Sequence, residues 1–176
     1  TKHKNHEVLF EGVGMWGKKH PLVLTGGGSN MGFGRRAWHL RRYANRLGLA
    51  PGTSLQPLGY VPDDQFRAVL GRAWALVIAS RAEGGGSFPV WEALLNGIPV
   101  VCADSAAVRE RVEWVGAEVL WFPPDNPKAL ADRLSELESG YDRFKARAMT
   151  QRAHLRRRSW EDVARDYWEL LTGRTG

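Results

Sequence analysis

Two glutamates bracket a run of glycines near the middle of the 176-residue chain: Glu83-Gly84-Gly85-Gly86-Ser87-Phe88-Pro89-Val90-Trp91-Glu92. Carboxylates set beside a bare backbone are good acceptors for the hydroxyls of a sugar or a ribose. Three successive glycines open backbone conformations closed to other residues and remove side chains that would keep a ligand away. Pro89 suits the first turn of a helix, where its missing N–H has no intrahelical partner to lose. The free N–H groups of that turn, together with the helix dipole, favour an anion or a hydroxyl-rich ligand just outside it. Taken alone, the same segment also serves as a tight strand-to-helix connection, with Glu92 a solvated helix residue.

To present these groups the turn must sit at a strand end, and its flanks fit. The apolar run Trp74 to Ala79 precedes it and Ile98 to Ala103 follows. Upstream, Val8, Leu9, Val13 and Trp16 recur at helical spacing within Asn5 to Trp16, and Pro21 to Thr25 reads as a buried strand ended by Gly26-Gly27-Gly28. Arg35 to Leu47 is helical up to Gly48, Ser54 to Leu58 is a weaker strand, and Asp63 is placed to cap a helix burying Phe66, Val69, Leu70 and Ala73. Beyond the key turn, Ser105 to Val115 reads as helix and Glu118 to Phe122 as strand. Asn126 to Leu137 and Tyr141 to Leu155 are helical, and Ser159 with Asp162 forms a capping box opening Trp160 to Leu171. This alternation predicts one α/β domain, residues 1–176, with a mostly parallel, Rossmann-like sheet covered by helices on both faces and extra C-terminal helices. The last helix, within 159–172, carries Trp160, Val163, Tyr167, Trp168 and Leu171, so it either packs on this domain or awaits a partner.

Composition narrows the function classes. A hydrophobic content of 43% with 25% charged residues is that of a globular chain. No apolar run approaches the ~20 residues that span a bilayer, and the N-terminal residues lack the apolar stretch of a signal peptide, so a cytoplasmic location is expected. The single cysteine, Cys102, lies in an apolar strand and is expected in the core. The net charge of +6 gathers in Lys2/Lys4, Lys18/Lys19, Arg35/Arg36/Arg41/Arg42/Arg46 and Arg152/Arg156/Arg157/Arg158. Such clusters suit a phosphorylated small molecule, an anionic membrane surface or nucleic acid, or are simply solvated.

Several motifs fail. Gly12 to Lys19 is one residue short of a phosphate-binding loop: Lys19 stands where a magnesium-binding hydroxyl belongs, and the segment follows a helix. Gly26-Gly27-Gly28-Ser29-Asn30-Met31 has Met31 in place of the third glycine of a dinucleotide fingerprint. His3, His6 and His20 have no metal-ligand spacing, so neither a metal nor another cofactor is expected. Gly86-Ser87-Phe88 is not a nucleophile elbow.

In order along the chain, Lys4-Asn5-His6, Leu22 to Gly28, Gly59-Tyr60-Val61-Pro62, Ala79-Ser80, Glu83 through Glu92-Ala93, Asn96-Gly97-Ile98-Pro99-Val100-Val101 and Phe122-Pro123-Pro124-Asp125 resemble a known pattern. It is that of the C-terminal, donor-binding domain of the retaining GT-B glycosyltransferases of family 4, the group 1 glycosyltransferases. The resemblance implies transfer of a hexosyl group from a UDP- or GDP-sugar to a glycan or lipid-linked acceptor. It also implies that the acceptor-binding N-terminal domain lies outside this chain, which is then half an enzyme, inactive alone. By position, Glu83 corresponds to the catalytic glutamate that contacts the donor sugar, and Glu92 to the one that holds the ribose. Lys4 corresponds to the lysine on the diphosphate. The backbone of Ser87, Phe88 and Pro89 would line the sugar and pyrophosphate, Tyr60 and Val61 would flank the base, and Gly27, Gly28, Ser80, Gly85 and Gly86 are further donor-binding positions. A fixed lysine would stabilise the charge that builds on the departing nucleotide without a metal.

The resemblance has two departures. Positions 84 to 91 make eight residues between the glutamates, where the related pattern has seven. The related arginine ahead of the lysine would fall upstream of Thr1. The last helix is expected to reach the N-terminal domain, and the basic helices to bring the protein to the anionic inner face of a membrane. A basic, nucleic-acid-binding α/β domain is the competing expectation.

Overall fold

The computed structural model describes residues 2–26, 35–83, 86–155 and 159–173. Five short strands alternate with helices: α1 (His6–Trp16), β1 (Leu22–Thr25), α2 (Arg35–Arg46), β2 (Leu55–Gly59), α3 (Asp63–Gly71) and β3 (Leu76–Ile78). They are followed by α4 (Phe88–Leu95), β4 (Val100–Ala103), α5 (Ala106–Trp114), β5 (Leu120–Phe122), α6 (Pro127–Ser139), α7 (Tyr141–His154) and α8 (Trp160–Thr172). Every strand pairing is parallel. β1 pairs with β2, Leu22 opposite Leu55, and β4 lies between β3 and β5, with Val101 opposite Val77 and Leu120.

β4 shows why the sheet is central. All four of its residues are buried, and their alternation divides them between two cores. Val101 and Ala103 join Phe10, Leu24, Leu55, Phe122 and Leu130, a core that draws on both strand groups, α1 and α6. Val100 and Cys102 face the other way, among Val90, Leu94, Ile98, Val108 and Val112 of α4, α5 and their approaches. Burial pushes the Cys102 thiol up to about 12, so it is an unreactive core residue, as expected.

The failed phosphate-loop signal has a packing explanation. Gly12 lies inside α1, where a β-carbon would come within 2.6 Å of the Leu130 side chain on α6. The glycine lets two helices approach, while Gly17, at φ 95°, ends α1. At the start of β3 an aromatic stack ties the layers together. The Trp74 ring lies 5.4 Å from Trp16, 4.7 Å from His20 and 5.3 Å from Tyr141. Tyr43 of α2 donates a hydrogen bond to Glu11 of α1, which pushes its hydroxyl up to about 12.

Two local expectations are corrected or sharpened. Asp63 does not cap α3: Pro62 occupies the cap position, and Asp63 begins the helix, placing its charge in the first turn. The Ser159–Asp162 capping box is present in full. Among the described residues, α8 contributes none to either core. None of its residues is buried, and Trp160, Tyr167, Trp168, Leu170 and Leu171 are exposed. Among the described residues no helix is long and apolar enough to cross a membrane.

Candidate functional site

The site begins with a short 3-10 turn, Lys2–Lys4, held across the carboxyl ends of β3 and β5. The Arg81 N–H donates to the His3 carbonyl at 2.8 Å, and the Asn5 side-chain amide donates to the Pro124 carbonyl at 2.6 Å. Asn5 adopts φ 53°, which turns the chain from this anchor into α1. Arg81 also reaches Asp125 at 2.6 Å, closing the frame.

That frame brings Lys4 to Glu83, residues far apart in sequence. The Lys4 Nζ lies 2.7 Å from the Glu83 carboxylate. Partial burial raises the Glu83 pKa, but hydrogen bonds from Lys4 and from Ser80, with the charges of Lys4 and His3, outweigh it. The net result holds Glu83 below the ordinary carboxylate value. Ser80 is buried at the end of β3, so this carboxylate is fixed by groups from two separate segments.

The described residues resume at Gly86, just ahead of α4. Gly86 has φ 89° and Ser87 has φ 54°, ψ 92°, a conformation unusual for a residue with a β-carbon. Ser87 occupies the N-cap position without a side-chain cap bond, and among the described residues its buried Oγ has no hydrogen-bond partner. A buried, unpaired hydroxyl at a helix N-terminus is an open position for a ligand oxygen. Pro89 sits in the first turn as expected, and Phe88 is 82% exposed.

Glu92 lies one turn further on, within reach of the charges of α3. Its pKa is raised by burial first and by Asp63 second, with Arg67 opposing. Asp63 follows the carboxyl end of β2, so Glu92 stands within electrostatic reach of the segment that leaves that strand. Tyr60, 77% exposed, and the half-buried Val61 follow β2 directly. Gly27, Gly28 and Gly85 lie outside the described residues. Sequence reading passed over Asn5, Arg81 and Asp125, which position Lys4; their only sequence signal was adjacency to the Lys4, Ser80 and Pro123-Pro124 segments. Among the described residues no group of three His, Cys, Asp or Glu side chains is arranged to hold a metal ion. A cavity of about 440 Å³ elsewhere, between α7 and the turn after α5, is lined by Glu118, Arg147, Gln151 and Leu155 and touches none of these groups.

A parallel sheet with the lysine, the glutamates and an open helix N-terminus at its strand ends is accompanied by a family match. The sequence pattern of the family described as glycosyl transferases group 1 matches residues 1–139. The chain belongs to that family. No curated protein sequence matches this group 1 chain significantly. Among solved structures it is similar to the catalytic domain of a cholesterol-alpha-glucosyltransferase from Helicobacter pylori, at 22% identity and a TM-score of 0.67, over 87% of this chain and 89% of that one. It is also similar to the C-terminal domain of a glycosyl transferase group 1 family protein from Francisella tularensis. There the identity is 20% and the TM-score 0.66, over 88% of this chain and 78% of that one. The α/β fold, with its parallel sheet flanked by helices, is therefore shared with the C-terminal domain of GT-B glycosyltransferases.

Proposed function

We propose that this group 1 chain is the donor-binding half of a retaining family 4 glycosyltransferase. It would transfer a hexosyl group from a UDP- or GDP-sugar to a glycan or lipid-linked acceptor held by a separate N-terminal domain. The observation that carries this reading is the meeting of Lys4 and Glu83, a few residues ahead of the Ser87 N-cap position of α4. A cation, a carboxylate and the positive end of a helix are what a sugar diphosphate requires.

In this reading the helix N-terminus and Lys4 take the diphosphate. Glu83 accepts hydrogen bonds from sugar hydroxyls and stabilises the positive charge that develops as the bond from sugar to phosphate breaks. Glu92 accepts from the ribose hydroxyls, and Tyr60 and Val61 flank the base. Lys4 and Glu83 form an ion pair, and binding would exchange it for one lysine–phosphate and one carboxylate–hydroxyl contact. No metal is required, because Lys4 and the helix dipole supply the positive charge. The exposed apolar side chains of α8 fit a surface for the acceptor domain. The basic residues support peripheral contact with the inner face of an anionic membrane from a cytoplasmic position.

Calorimetric titration with UDP and GDP tests the proposal. One diphosphate is expected to bind with micromolar-to-millimolar affinity and to lose binding in Glu92→Ala. The competing nucleic-acid reading draws on exposed Trp38, with Arg42 stacked 5.3 Å from its ring centre. Oligonucleotide binding with a steep salt dependence, and no response to either diphosphate, would favour it instead.

A further inference from the structure

Arg111 of α5 has no part in the scheme above, yet it lies against the glycine turn. Its Cδ, Cγ and Nε stand 2.8, 3.2 and 3.3 Å from where a β-carbon on Gly86 would be. The arm therefore rests on the backbone one residue before the Ser87 cap, a position only glycine leaves open. Other arginines of this surface are committed to carboxylates: Arg109 to Asp104 and Arg81 to Asp125. Arg111 is exposed and, among the described residues, makes no hydrogen bond or ion pair. Lys4, the other cation at the turn, is engaged by Glu83. Packing of an alkyl arm on a bare turn explains the contact but leaves a planar, doubly donating head unused beside a helix N-terminus.

We propose that Arg111 is a donor-recognition residue whose guanidinium binds the phosphate bearing the transferred sugar. This rests on the donor-site reading above. The order of groups along the turn selects that phosphate, because Gly86 falls between Glu83, assigned to the sugar, and the α4 N-terminus, assigned to the diphosphate. A guanidinium can engage a phosphate through two parallel hydrogen bonds, which a lysine cannot. The glycine turn with its extra residue is thus served by a cation from α5, and the site gains a reason to prefer a nucleoside diphosphate over a monophosphate.

The test is titration of the wild-type chain, Arg111→Ala, Arg111→Lys and Glu92→Ala with the mono- and diphosphates of uridine and guanosine, with melting curves for each. Arg111→Ala is expected to weaken diphosphate binding by roughly tenfold or more while leaving monophosphate binding unchanged. Arg111→Lys should recover part of the loss. Unchanged diphosphate binding in Arg111→Ala, with binding lost in Glu92→Ala, would overturn this inference and leave the donor site standing. Equal weakening of mono- and diphosphate with a lowered melting temperature would reduce Arg111 to a prop for the turn and also overturn it. A wild-type chain that binds neither diphosphate would remove the donor-site reading itself, and this inference with it.

Discussion

Glu83 and Glu92 share a residue type and a turn, but their surroundings drive them in opposite directions. Glu83 gains Lys4 and Ser80, and its pKa falls. Glu92 is partly buried beside Asp63, and its pKa rises. The signs of the pH dependence follow. A depressed carboxylate contributes stability that is present above its ordinary value of 4.5 and lost as pH falls through the lower folded value. A raised carboxylate works the other way, and its ionisation costs stability as pH rises from that ordinary value through the higher folded one. Melting curves of Glu83→Gln and Glu92→Gln across this range should therefore diverge. Glu83→Gln is expected to lower stability at neutral pH, and Glu92→Gln to raise it, each by under about 1 kcal/mol after solvent screening. Both differences should shrink toward zero in acid. A wild-type Glu92 that costs stability while Glu92→Ala loses ligand would mark it as retained for binding rather than for the fold.

Among the elements, the α1–α6 contact is governed by one missing side chain. Gly12 is a poor helix residue by about 1 kcal/mol relative to alanine, so its presence needs a compensating gain. The 2.6 Å approach to Leu130 supplies it, since Leu130 is fully buried and has little room to move. Gly12→Val is expected to cost about 1–3 kcal/mol through overpacking, read as a shift in denaturant midpoint without a change in its slope. Leu130→Ala in the same background should relieve the clash, so the two substitutions would be non-additive. The sequence pattern of Gly12 to Lys19 suggested a phosphate loop because spacing alone does not distinguish a glycine that makes room for a ligand from one that makes room for a helix.

At the scale of the whole molecule, a compact two-core body carries a terminal helix that contributes nothing to either core. α8 buries no residue, although it has a complete capping box and exposes two tryptophans and two leucines. A chain ending at Leu155 should therefore unfold with the same midpoint as the full chain, to within about 0.5 kcal/mol in thermal or urea denaturation. A large loss would mean that α8 packs on this domain in solution. Retained stability, with binding of the separately expressed acceptor domain lost, would match the proposed interdomain role.

The element order, the parallel α/β class, the buried Cys102 and the place of Pro89 in the first turn of α4 were all legible in the sequence. They depend on local periodicity, turn chemistry and the alternation of strand and helix, which are properties of neighbouring residues. Glu92 could be named from the glycine turn and helix start that precede it, and Tyr60 and Ser87 through the family resemblance of the segments that hold them. What only the tertiary structure decided is who meets whom. Lys4 reaches Glu83 through hydrogen bonds from Arg81 and Asn5 to distant carbonyls, Glu92 comes within reach of the charge of Asp63, and Arg111 comes to rest on Gly86. Such meetings depend on how separate elements close on one another across the sheet edge, and no spacing along the chain encodes that distance.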